Sequence, residues 1–214
     1  MNPADKRHML IGLTGGVATG KDLVSNEFKR LGAMIVDADT VARDIMLRNK
    51  PAYRAVVKAF GKDMVLPGGS IDRQTLGGIV FSDKKKLEKL NSLTHPAIRK
   101  EMERLIRLAK KTRPRAVIIA AVPLLIENKL HEKWVDKTIV VYANKKNQTI
   151  RLMKKTGLAK KDALLRINSQ IPTREKRKFA DFILNNNGDK KTTIAQTRKL
   201  YATLKGLSEK INKG

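Results

Sequence analysis

Residues 9–22 read Met9-Leu10-Ile11-Gly12-Leu13-Thr14-Gly15-Gly16-Val17-Ala18-Thr19-Gly20-Lys21-Asp22, an apolar run that ends in a glycine-rich turn and a lysine. The run is short and closes on glycines, as a buried parallel strand does. Gly15 to Lys21 match G-x-x-x-x-G-K. Glycines there let backbone N–H groups turn inward around a phosphate, and a helix that follows adds the positive end of its dipole. Lys21 is placed to reach the β- and γ-phosphates of a nucleotide. A glycine-rich turn that merely packs a helix on a sheet has similar composition, but the strand before it and the helical spacing after it favour nucleotide binding. The motif closes on Ser or Thr, whereas this chain has Asp22. Aspartate is a hard oxygen ligand of the kind Mg²⁺ accepts, or simply a first-turn acid favoured by the helix dipole.

Working outward, Leu23 to Phe28 continue with helical spacing to Leu31-Gly32, and Ala33 to Val36 read as a second strand ending at Asp37-Ala38-Asp39. This makes a strand–loop–helix–strand unit. The stretch 40–111 is helical and poor in strands. Pro51 opens one helix, Asp72 is an N-cap for the next, and Ser82 or Asp83 caps another. A further helix is expected from Thr94 to about Ala109, with Pro96 near its start. Buried strands are expected at 116–121 and 138–142, with Pro123 breaking the chain and a short helix starting at Leu124. Residues 145–178 are dense in Lys and Arg and form a candidate mobile segment. A last strand at 182–184 and a helix from Lys190 to Ile211 complete an α/β pattern, a doubly wound parallel sheet with helical insertions.

The composition narrows the function classes. A chain of 214 residues with 41% hydrophobic content carries one substantial core, and 4% aromatics make that core aliphatic. No run of about 18 apolar residues is present, and the start lacks the apolar stretch of a secretory signal, so a cytoplasmic protein without a membrane partner is expected. The absence of cysteine excludes disulfides, thiolate metal sites and cysteine nucleophiles. Forty-six basic residues against twenty acidic ones leave +26, which attracts polyanions of any kind.

With the loop, Asp37-Ala38-Asp39 and His95-Pro96 in view, the chain resembles the dephospho-CoA kinase family. The resemblance runs from Ile11 to about Gly188. It takes in Ile11 to Gly16, Asp37-Ala38-Asp39 with Arg43, and Leu93-Thr94-His95-Pro96. Further on come Val122-Pro123-Leu124-Leu125 with Glu127, Gln148 with Arg151-Leu152, Arg166-Ile167 with Gln170, Lys176, Ala180-Asp181, and Asn186 with Gly188. It implies a P-loop kinase that moves the γ-phosphoryl of ATP to the ribose 3′-hydroxyl of dephospho-CoA, the last step of CoA synthesis. The nucleotide-binding core would be 1–39, 112–144 and 179–214, the helical CoA-binding domain 40–111, and the basic lid 145–178.

On that reading Lys21, Asp39 and Arg151 are the candidate catalytic residues. Asp39, at the end of the second strand, would orient or deprotonate the attacking hydroxyl. Arg151 would stabilise charge on the transferring phosphoryl group, although on residues alone a solvated helix-face arginine fits equally. Gly15, Gly16, Val17, Ala18, Thr19, Gly20, Lys21, Asp22 and Asn186 are the candidate ATP-binding residues. Arg43, His95 and Arg166 join Asp39 as candidate substrate contacts. ATP and Mg²⁺ are the implied cofactors, with Asp22 the candidate metal ligand. Asp37 reads as a turn-capping acid or a catalytic neighbour.

Four positions depart from the family pattern. Ala18 stands where a second loop glycine is usual, a mild change if φ there is negative. Asp22 replaces the loop hydroxyl, and Ala121 replaces the aspartate before Val-Pro-Leu-Leu. A lid arginine is also Lys154 or Lys155. The exchange at 22 and 121 conserves the local carboxylate count. It leaves open a kinase-like protein that binds nucleotide or CoA without turnover. A basic nucleic-acid-binding module is a third reading, against which stands the lack of an aromatic stacking platform.

Overall fold

In the computed structural model, which describes residues 8–211, strand β1 (Leu10–Gly15) leads into helix α1 (Lys21–Arg30) and strand β2 (Met34–Asp37). Helices α2 (Ala38–Asp44), α3 (Pro51–Phe60), α4 (Arg73–Phe81) and α5 (Lys84–Thr112) follow. Next come β3 (Ile118–Ala121), α6 (Leu130–Lys133) and β4 (Lys137–Tyr142). The chain then forms α7 (Lys145–Thr156), α8 (Lys160–Asn168), α9 (Thr173–Lys176), a 3₁₀ turn at Arg177–Phe179, β5 (Phe182–Asn185) and α10 (Lys190–Ile211). Residues 1–7 and 212–214 of the expected core segments lie outside the described residues.

The chain divides into two compact units, one of Met1–Val36 with Ile106–Gly214 and one of Asp37–Leu105. The first carries a sheet of strand order β2-β3-β1-β4-β5. Strand β1 pairs in parallel with β3 (Leu13 beside Ala121) and with β4 (Leu13 beside Ile139), and β4 pairs in parallel with β5. Parallel strands covered on both faces read as unbroken apolar runs, and β1 and β3 are buried at every residue. Ile11, Leu13, Ile119, Ile139 and Val141 build the core with Val24 and Phe28 of α1 and Leu204 of α10. Each such side chain contributes about 1.5–3 kcal/mol on burial. After β1 the chain fills one side of the sheet and then crosses to the other, so the C-terminal end of β1 is the switch point where ligands bind in open α/β sheets.

The second unit is helical, around Val56, Met64, Ile71, Leu76 and Val80. Asp72 caps α4 by accepting from the N–H groups of Gln74 and Thr75, and Asp83 accepts from Lys85 and Lys86 at the start of α5. The expected break near Thr94 does not occur, because α5 is one helix with Pro96 inside it. An interior proline costs about 3 kcal/mol. Packing of Leu87, Leu90 and Leu93 against the cluster offsets that cost. Helix α5 runs on to Thr112, and the compact helical unit ends within it, at Leu105. The helix expected at Leu124 is also displaced: residues 123–129 are turns, and α6 starts at Leu130 behind Lys129, at φ 52. Leu125 is instead fully buried, its packing possible because Gly12 has no side chain: a Cβ there would be 2.6 Å from Leu125 Cδ2.

Candidate active site

The loop leaves the sheet at its switch point. Gly15 closes β1, and Gly20, at φ 94, is the N-cap of α1, which begins at Lys21. Glycine is required at position 20, since φ is in the left-handed region and a Cβ would collide with the Asn186 amide. Within the loop the Thr19 N–H and hydroxyl both donate to Gly16 O, at 3.3 and 2.9 Å. Ala18 sits at φ 55, not at the negative φ that would make alanine a mild replacement for glycine. Its backbone is therefore strained. Val17 and Ala18 pack on Leu152, Ala163 and Ile167 of α7 and α8.

Three side chains remote in sequence bind the loop carbonyls. Lys176 Nζ donates to Gly15 O (3.3 Å), Gln148 Nε2 to Val17 O (2.6 Å) and Asn186 Nδ2 to Thr19 O (2.7 Å). All three are buried. The Lys176 ammonium also donates to Pro123 O and lies 2.7 Å from Glu127 Oε1, so each of its three N–H bonds has an acceptor. Burial pushes its pKa below the usual lysine range, against the pull of Glu127. Asn186 is engaged through both ends of its amide, its Oδ1 accepting from Thr193. Its amide thus ties the loop to α10.

Around this frame sit the charged groups. Asp22 is exposed, with one carboxylate oxygen 3.6 Å from Lys21 Nζ and the other 3.8 Å from Lys155 Nζ. Arg151 donates through Nη2 to Asn186 O (2.8 Å), and its buried Nη1 has no partner among the described residues. That leaves a charged donor free for an anion. Arg166 lies in the last turn of α8, exposed. Ala121 is fully buried in the core at the end of β3. Among the described residues no group of three or more His, Cys, Asp or Glu could hold a metal. Mg²⁺ needs only one or two protein carboxylates when phosphates supply the rest, and the exposed Asp22 carboxylate is a group here that could supply one.

In the helical unit Asp37 caps α2, accepting from Thr40 N–H at 3.0 Å. Asp39 is in the first turn of α2, two residues beyond the end of β2, and not at the strand end as expected. The cap at Asp37 starts the helix early, which carries Asp39 into it. Asp39 and Arg43 line one cavity of about 400 Å³ with Met46, Arg48, Arg73 and Leu76. Its mixture of three guanidinium groups, a carboxylate and apolar walls suits an anionic ligand with a nonpolar arm. His95 is exposed on α5 and is not among the residues that line this cavity.

The loop residues, Asn186 and Arg151 are thus brought together in one unit, and Asp39 and Arg43 in the other. Sequence reasoning assigned no role to Gln148, Lys176 or Glu127. All three occur in the quoted family motifs, which was the available signal, but nothing local says what they touch.

The dephospho-CoA kinase family model matches residues 9–192. A dephospho-CoA kinase of Geobacillus kaustophilus is 42% identical over 201 residues, covering 92% of this chain and 96% of that protein. Among solved structures, TT1252 from Thermus thermophilus has a TM-score of 0.76 and a dephospho-CoA kinase from Campylobacter jejuni one of 0.70. Both are 28% identical and cover 92% of this chain and 97% of the other.

Proposed function

We propose that this chain, which belongs to the dephospho-CoA kinase family, transfers the γ-phosphoryl of ATP to the ribose 3′-hydroxyl of dephospho-CoA, giving CoA and ADP. The observation that carries this reading is the loop from Gly15 to Gly20, set at the end of a central parallel strand with Lys21 opening the next helix. Loop N–H groups and the α1 N-terminus hold the β-phosphate, and Lys21 offsets charge on the β- and γ-phosphates. Arg151 uses its free Nη1 on the transferring phosphoryl oxygens, while Asn186 holds the loop in place. The helical unit takes the acceptor: Asp39 orients or deprotonates the hydroxyl, and Arg43 pairs with an anionic group in the same cavity. His95 and Arg166 are further acceptor contacts. Residues 145–178 act as the lid. Asp22 would hold Mg²⁺ together with the phosphates of ATP, and the ion would supply charge neutralisation there.

Purified protein with ATP and Mg²⁺ is expected to release ADP only when dephospho-CoA is present, and Lys21→Ala abolishes that release. A second reading, nucleotide binding without turnover, is favoured by the Asp22 carboxylate lying against two lysines and by the lack of a carboxylate at Ala121. ADP binding with no dephospho-CoA-dependent turnover would decide for it. Among the described residues no helix is long and apolar enough to cross a membrane.

A further inference from the structure

We infer that Lys176, Gln148 and Asn186 are positioning residues that set the phosphate affinity of the loop by holding its alternate carbonyls outward. The argument rests on the nucleotide-binding reading above. A trans peptide is planar, and its C=O and the following N–H point in opposite directions. No described peptide is cis. The donors fall on the carbonyls of residues 15, 17 and 19. Each bond therefore aims the next N–H, of Gly16, Ala18 and Gly20, away from its donor. The donors are 0%, 3% and 4% exposed, so the carbonyl side is the packed interior and the N–H groups face the other way. Convergent N–H groups make an anion nest only when their carbonyls are kept from turning in.

The chemistry of the donors fits this task. Gln148 is buried beside Thr173, whose hydroxyl lies 3.4 Å from Gln148 Oε1 and gives its one proton to Ala143 O at 2.8 Å. Asn186 is held by Thr193, and Lys176 by Glu127. All three donors are buried and two have a polar anchor of their own, so the loop geometry exists before phosphate arrives. Such preorganisation removes the cost of reorienting three peptides on binding.

The test separates the β-phosphate from the rest of the nucleotide. Gln148→Met removes one donor at nearly constant volume. The double variant Lys176→Met with Glu127→Gln removes a second without stranding a buried carboxylate. Calorimetry on the full chain is expected to show ADP affinity reduced about tenfold in each, with AMP affinity unchanged. A general loss of structure would weaken both ligands together, and either that result or unchanged ADP affinity in a folded variant overturns the inference. The unaltered protein offers a check that needs no variant. Added ADP, and not AMP, should shift and protect the amides of Gly16, Ala18 and Gly20 in a proton–nitrogen spectrum; silent amides with ADP bound overturn the inference alone. Failure of the unaltered protein to bind ADP overturns the nucleotide reading and this inference with it.

Discussion

Asp22 Oδ2 lies 3.8 Å from Lys155 Nζ, so the residue after the loop lysine is ion-paired to the last turn of α7. Both side chains are more than 70% exposed, so the pair itself is worth little in stability. Its interest is chemical: the carboxylate stands where the loop motif has a hydroxyl.

The first prediction concerns the exchange of carboxylates at 22 and 121. Asp22→Ser and Ala121→Asp are each expected to lower dephospho-CoA-dependent turnover, and the double variant to recover it. The coupling is read from the four turnover rates, with melting curves to exclude unfolding, because Ala121 is fully buried. Strictly additive effects would show that the two positions do not serve one site.

Ala18 supplies the second. At φ 55 a β-branched side chain is far worse tolerated than alanine. Ala18→Val should cost about 2 kcal/mol, read as a drop of several degrees in the melting midpoint. Ala18→Gly relieves strain but loses a packed methyl and adds chain entropy, so it should stay within about 1 kcal/mol of the parent. A valine variant as stable as the parent would mean that the loop does not hold this φ.

For the third, Arg151→Lys keeps the charge but cannot reach Asn186 O and an anion together as the guanidinium fork does. We expect kcat to fall roughly 10²-fold while the dissociation constant of ADP changes little. Equal losses in both quantities would assign Arg151 to ground-state binding.

The fourth is a pH dependence. Hydrogen bonds from Arg30 first and Arg198 second pull the Glu27 pKa down to about 2. A carboxylate whose folded pKa is depressed contributes stability that is fully present above its unfolded value, near 4.5, and that is lost as pH falls towards 2. With both arginines more than half exposed, screening leaves roughly 1–2 kcal/mol at neutral pH. Denaturant melts of Glu27→Gln should be less stable by that amount at pH 7 and converge on the parent at pH 2. A constant difference across the range would rule out the ionised pair as the cause.

Much of the fold was readable because its signals are local. The strand–glycine–lysine order at 9–21, the caps at Asp72 and Asp83 and the proline at the start of α3 each act within one turn of chain. Errors arose where a local rule met a distant partner. Thr94 and Pro96 read as the start of a new helix until Leu87, Leu90 and Leu93 are seen packed in a core on the same helix. Leu124 to Ile126 read as a helix until Leu125 is seen filling the space at Gly12. The effect of Ala18 depended on a backbone angle that side-chain identity alone does not specify.

The sequence by itself determined the phosphate loop, the alternation of strands and helices and the family, since contiguous residues and ordered motifs carry all three. Only the tertiary structure decided what holds the loop open. Gln148, Lys176 and Asn186 reach it from 131, 161 and 167 residues away. Their placement depends on the parallel register that sets β4 beside β1 and β5 beside β4. A short-range pattern can say that backbone N–H groups are needed at a point in the chain. Which buried donors fix their direction is settled only when distant strands align.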